Sequence, residues 1–176
     1  MYFDNFPVIR YGSTDGTIKN VTNLLRRVAV RSKVKTNSSL FDTYDVKNGE
    51  TPEIIADKLY DDPKLHWIIM LLNNVTDRYH DWPMSEQSFE TFIKDKYTNP
   101  DGIHHYEVTQ SSGKTTGSGP DDYSHKIEVN SDATGAQSVS NREYEQRLQD
   151  EKRSINLLNP AYLTTFIEEF NNLVRN

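Results

Sequence analysis

Five histidines, His66, His80, His104, His105 and His125, are the side chains here most suited to proton transfer or metal ligation. No two share a helix face at ligand spacing, and there is no His-x-x-x-His pair. His104 and His125 could meet across a hairpin, and His80-Asp81 stands beside Trp82, but packing or surface roles account for all five. Cysteine is absent, which removes thiol catalysis, disulfides and cysteine-ligated zinc. The carboxylate pairs Glu168-Glu169 and Asp121-Asp122 fall on a polar face and a loop tip, whereas a general acid needs an apolar pocket to raise its pKa. No Gly-x-Ser-x-Gly elbow, phosphate loop or dinucleotide fingerprint occurs. The expectation is a protein with no catalytic residue, no metal and no cofactor.

Aromatic residues carry more information. Tyr60, Trp67, Tyr79 and Trp82, with His66 and His80, crowd into a short stretch. Such rings fill small cores, anchor protein interfaces or stack on sugars, and residue types alone leave the three uses open. Candidate interface residues are Tyr60, Trp67, Met70, Leu71, Tyr79 and Trp82, joined by Phe166 and Phe170 near the C-terminus. Arg26, Arg27 and Arg31 form a separate cationic set. They lie in a run from Lys19 to Lys35 that holds six basic residues and no acid. Val28, Val30 and Val34 alternate with Arg31, Lys33 and Lys35, the pattern of a strand with a cationic outer face. A solvated face, a nucleic-acid site and an acidic protein partner are all compatible with it, although stacking aromatics are not interleaved.

Elements that would position these residues are legible. Tyr44-Asp45-Val46 reads as a strand ended by Asn48-Gly49. Thr51 is a helix N-cap with Pro52 in the first turn, and Ile55, Ala56, Leu59 and Tyr60 share a face. Asp61-Asp62-Pro63 stops that helix and starts another, striped by Leu65, Ile68, Ile69 and Leu72. Because Trp67, Met70 and Leu71 lie off the stripe, this second helix must be covered on more than one side, by its own chain or by another subunit. Ser85 caps a third helix with Phe89, Phe92, Ile93 and Tyr97 on one face, and Met84 and Phe89 form a staple. Ile103–Thr109 and His125–Asn130 read as a hairpin with a long Gly- and Ser-rich loop. Asn141–Arg153 reads as a polar helix and Ser154–Leu158 as extended chain. Asn159-Pro160 opens a last amphipathic helix.

The chain is 176 residues long, 35% hydrophobic, with a formal charge of -6 and a mean hydropathy of -0.77. It can bury a modest core. The acidic balance argues against a general nucleic-acid binder. No apolar stretch reaches the roughly 18 residues of a membrane span, and Met1-Tyr2-Phe3-Asp4 does not start like a secretory signal. The expected class is α+β in four segments: an N-terminal extended arm at 1–40, a small β-α-α domain with its following helix at 41–99, a β-hairpin with a flexible loop at 100–139, and C-terminal helices at 140–176.

Tyr44-Asp45-Val46-Lys47-Asn48-Gly49-Glu50-Thr51-Pro52-Glu53-Ile54-Ile55-Ala56, then Leu59-Tyr60 and Leu71-Leu72-Asn73-Asn74, resembles the lysin motif, a strand–helix–helix–strand module that binds peptidoglycan or chitin. The likeness stops at Asp77-Arg78-Tyr79-His80-Asp81-Trp82-Pro83, where that module has a Pro-Gly-Gln turn. Over nearly the whole chain the sequence resembles the baseplate wedge subunits of contractile-tailed, T4-like bacteriophages that carry a degenerate lysin-motif-like domain. The carrying residues are Phe6-Pro7-Val8-Ile9-x-Tyr11, Pro52-Glu53-x-x-Ala56-x-x-x-Tyr60, Asp62-Pro63-x-x-x-Trp67 and the Tyr79-x-x-Trp82 corner. This resemblance implies a non-enzymatic virion subunit of the tail baseplate, assembled in the host cytoplasm and present in several copies. It implies that the subunit clamps the helical core of other wedge subunits, meets a sheath-initiator-like subunit, and helps join neighbouring wedges. Neither nucleic acid nor membrane is among the implied partners. The competing reading is a peptidoglycan- or glycan-binding lysin-motif protein.

Overall fold

The computed structural model describes residues 2–30 and 39–175. The chain forms two compact units, one of Met1–Pro83 with Lys152–Asn176 and one of Met84–Glu151.

In the first unit, a 3₁₀ turn at Tyr2–Asn5 leads into a ribbon of β1 (Val8–Gly12) and β2 (Ile18–Thr22). Strand β3 (Phe41–Asp45) precedes helix α1 (Pro52–Tyr60). Thr51 Oγ1 accepts the Ile54 amide at 3.4 Å, and Pro52 occupies the first turn, where an N–H would have no acceptor. Helix α1 stops at Asp61, which takes a left-handed conformation (φ 56°) and returns its amide to the Asp57 carbonyl. Asp62 then accepts the Lys64 amide at 2.9 Å and caps a 3₁₀ turn at Pro63–Leu65, which runs into α2 (His66–Leu72). The strand antiparallel to β3 is β7 (Ser154–Leu158), with Phe41 opposite Leu158 and Asp45 opposite Ser154. The last helix is α5 (Leu163–Arg175), preceded by a 3₁₀ turn at Pro160–Tyr162. The core of this unit joins Ile55 and Ala56, Ile68, Ile69 and Leu72, and Ile155, Leu157 and Leu158. For the two helices these are the faces expected from their stripes.

The second unit begins with α3 (Glu86–Lys96), capped by Ser85 through the Ser88 amide. A three-stranded antiparallel sheet follows, ordered β5 (His125–Val129), β4 (Ile103–Gln110), β6 (Gln137–Ser140). Helix α4 (Asn141–Arg153) then continues directly into β7. Phe89, Ile93 and Val139 are buried here, together with the polar Glu107, Glu145 and Gln149.

The fold is mixed α and β, with N-terminal strands and C-terminal helices, as expected. Three points differ from the sequence reading. The N-terminal arm contains a hairpin. A third strand, β6, lies in the stretch read as the flank of a two-stranded hairpin. Val28 to Val30 adopt no regular structure, and the rest of the cationic strand read there falls outside the described residues. The first compact unit is discontinuous, with β7 returning to pair with β3.

Candidate functional site

Trp67 organises the first unit. Its ring lies 4.5 Å from Phe170, 5.4 Å from Tyr2 and 6.4 Å from Phe166, centroid to centroid. Tyr2 in turn meets Phe6 at 5.0 Å and Phe170 at 5.4 Å. Trp67, which lies off the main stripe of α2, is therefore covered by the chain's own N-terminal turn and last helix. This resolves the choice between flanking chain and another subunit for Trp67.

Of the candidate interface residues, Tyr60, Trp67, Trp82 and Phe170 are buried. Burial pushes the Tyr60 hydroxyl up to about 12, and the hydroxyl donates to the Leu158 carbonyl at 3.0 Å. The Trp82 indole donates to the Glu50 carbonyl at 2.8 Å. These four rings are spent on the fold. Met70, Leu71 and Phe166 are half-buried, Arg26 is half-buried, and Arg27 and Tyr79 are exposed. Arg31 lies outside the described residues. A cleft of about 530 Å³ opens between Tyr2, Phe3, Arg27, Val28, Trp67 and Met70. A second of about 330 Å³ is lined by Val28, Val30, Leu71, Phe166 and the exposed Leu173.

The turn before Trp82 is built by short acidic side chains. Asp81 Oδ2 accepts the Thr76 and Asp77 amides, both at 2.9 Å, and Asp77 Oδ1 accepts the Tyr79 amide at 2.8 Å. Arg78 reaches Glu53 at 2.9 Å. This turn ends with Trp82 against the Glu50 carbonyl, on the loop between β3 and α1.

Charged side chains in the interior escaped the sequence reading. Glu50 is buried and accepts from the Tyr44 hydroxyl (2.8 Å), the Lys47 amide (3.0 Å) and Lys58 Nζ (2.6 Å). Burial pulls its pKa up, yet these donors together hold it down at about 2. In the second unit Glu107 is gripped by Arg147 (2.6 and 3.0 Å) and Lys126 (2.6 Å), and Arg147 foremost brings its pKa to about 2. Glu145 accepts from Lys96 Nζ and the Tyr97 hydroxyl at 2.7 and 2.8 Å. All three carboxylates are ionised anchors, the reverse of the raised pKa that acid catalysis requires. A signal for α4 existed: Glu145 and Gln149 are four residues apart, and these polar positions are its buried ones.

The histidines form no metal centre. His125 stands opposite Gln110 in the hairpin, so it does not meet His104. His104 stacks on Tyr144 at 4.0 Å, and its Nδ1 lies 2.8 Å from that of His105. Among the described residues no group of three or more His, Asp or Glu could hold an ion, and no helix is long and apolar enough to cross a membrane.

Against known proteins, a family model described as base plate wedge protein 53 matches residues 1–173. The chain is also 32% identical over 60 residues to baseplate wedge protein gp53 of Enterobacteria phage T4. That alignment takes in 34% of this chain and 31% of the relative, so the chain matches under a third of that protein's length.

Proposed function

The chain belongs to the base plate wedge protein 53 family, and we propose that it is a structural subunit that clamps the helical core of other wedge subunits and helps join neighbouring wedges. The match to the family across residues 1–173 carries this reading. A baseplate wedge protein works in the virion tail, in association with other baseplate proteins. Its assembly in the host cytoplasm and its contact with a sheath-initiator-like subunit are part of the same proposal. The work asked of such a subunit is binding, so its interior carboxylates serve as anchors.

The grip is best placed on the groove between Val28, Val30 and α5. Leu71 and Phe166 line it, together with Leu173, which is 55% exposed. An amphipathic helix of a neighbouring subunit would bury those side chains at the interface. Arg26 and Arg27 sit next to this groove in sequence and suit an acidic partner surface. The strand–helix–helix–strand set of β3, α1, α2 and β7 has the order of a lysin motif, and we read it as such a scaffold turned to protein binding. A glycan site is not favoured, because Trp67 and Trp82, the two rings a stacking platform would use, are 7% and 6% exposed.

The test is complementation in infected cells lacking the wild-type chain. The wild-type protein is expected to co-purify with the other wedge proteins and restore tails. Leu173→Glu, at an exposed position, is expected to fold normally by circular dichroism yet fail to enter wedges. A wild-type chain that never associates with wedge proteins, or that retains purified peptidoglycan instead, refutes the reading.

A further inference from the structure

The N-terminal ribbon is built to be covered. Register places Ile9 opposite Val21 and Tyr11 opposite Lys19 on one face, with Val8, Arg10 and Ile18 on the other. Each face thus carries apolar side chains flanked by one cation, and every residue of both strands is exposed. Leu24 and Leu25 follow at 59% and 89% exposure. Among the described residues neither outer edge of the ribbon pairs with another strand. An isolated two-stranded ribbon is marginal in water, and a third strand is what stabilises it.

Charge points to the occupant. Residues 1–40 hold seven Lys or Arg against two Asp, in a chain whose net charge is -6. Beyond that stretch six cations, Lys58, Arg78, Lys96, Lys126, Arg142 and Arg147, each hold a carboxylate. Arg10, Lys19, Arg26 and Arg27 have no carboxylate partner among the described residues. The neighbouring exposed groups are mainly aliphatic, which suits a protein partner; single-stranded nucleic acid would ask for several stacking rings, and the ribbon offers Tyr11 alone.

We propose that the β1–β2 ribbon receives an acidic, apolar-patterned extended segment of another wedge protein as an added strand. Main-chain hydrogen bonds form along one free edge, carboxylates meet Arg10 and Lys19, and aliphatic side chains cover Val8, Ile9, Ile18 and Val21. This rests on the wedge reading above and adds a second docking element, distinct from the groove beside α5.

Hydrogen exchange of the full chain, free and within wedges isolated from infected cells, tests it. Amides of residues 8–22 are expected to exchange fast in the free protein and to gain protection in the wedge. The double variant Arg10→Glu, Lys19→Glu is expected to lose about tenfold or more in competition with wild type for incorporation. Arg10→Lys with Lys19→Arg should compete normally. Unchanged exchange across residues 41–72 verifies that the variants fold. Incorporation of the chain with residues 8–22 unprotected, or with the charge-reversed variant competing equally, overturns the inference and leaves the wedge reading intact. A chain missing from wedges overturns both. Binding of duplex DNA that is lost in the charge-reversed variant would assign the ribbon to nucleic acid and also overturn it.

Discussion

At the scale of single residues, stability resides in carboxylates that the folded chain keeps ionised. Glu50 and Glu107 titrate at about 2 when folded, against an ordinary value of 4.5. Between those values the unfolded chain binds protons that the native chain refuses, so the stabilisation is complete above about pH 5 and drains away as pH falls toward 2. The melting temperature is therefore expected to hold level from pH 7 to about 5 and to drop steeply below, which thermal denaturation across a pH series would show. Glu50→Gln should cost about 1–3 kcal/mol at pH 7, by leaving donors of Tyr44, Lys47 and Lys58 short of an acceptor, and should flatten part of the acid limb. Lys58 is 60% exposed, so solvent screening reduces what its ion pair contributes to stability. An acid limb of wild-type steepness in Glu50→Gln would show that this carboxylate is not responsible. The sequence revealed Glu50 only as part of a helix start. Its burial depends on Tyr44 and Trp82, which reach it from six residues before and 32 residues after.

At the scale of elements, helix boundaries were legible because caps and turn residues are local chemistry. Thr51-Pro52, Asp62-Pro63, Ser85 and Asn159-Pro160 each start a helical turn as read. What covers an element was not legible. Helix α5 reads as an amphipathic interface helix, but Phe170 and Val174 are 2% and 0% exposed within the first unit's core. Removal of residues 166–176 would strip Trp67 of its covering rings, so loss of wedge incorporation by that truncation would reflect unfolding as much as a missing contact. Point changes separate the two. Phe170→Ala is expected to destabilise the protein by about 3–5 kcal/mol in urea titrations followed by tryptophan emission. Leu173→Glu should shift the midpoint little, since its side chain is largely in water. Ile69, fully buried in α2, cannot accept a charge, and Ile69→Asp should leave no cooperative transition. Leu65, half-buried at the preceding 3₁₀ turn, should tolerate Asp better. Equal losses at 65 and 69 would show that burial along this helix is assigned wrongly.

At the scale of the whole chain, the decisive event is the return of β7 to β3 after the intervening unit Met84–Glu151. Ser154–Leu158 is readable as extended chain, but nothing local names its partner, because a strand's pairing is decided by which apolar face completes which core. The hydrophobic cluster of the first unit draws only on residues before Pro83 and after Lys152, from Phe6 to Val174. Lys152 Nζ donates to the His80 carbonyl at 2.6 Å, so the two ends of the intervening segment are already brought together. Replacing Met84–Glu151 by a short Gly-Ser linker should therefore leave the first unit folded, and shortening the loop lowers the entropy lost on closing it. Both tryptophans of the chain, Trp67 and Trp82, lie in that unit, so their emission reports on it alone. The excised protein is expected to unfold cooperatively with buried tryptophan emission and a midpoint equal to or above that of the full chain. An excised protein with water-exposed tryptophans would mean that β3 and β7 need the intervening unit to find each other. In that case the discontinuous unit is not self-sufficient, and folding must proceed through the chain as a whole.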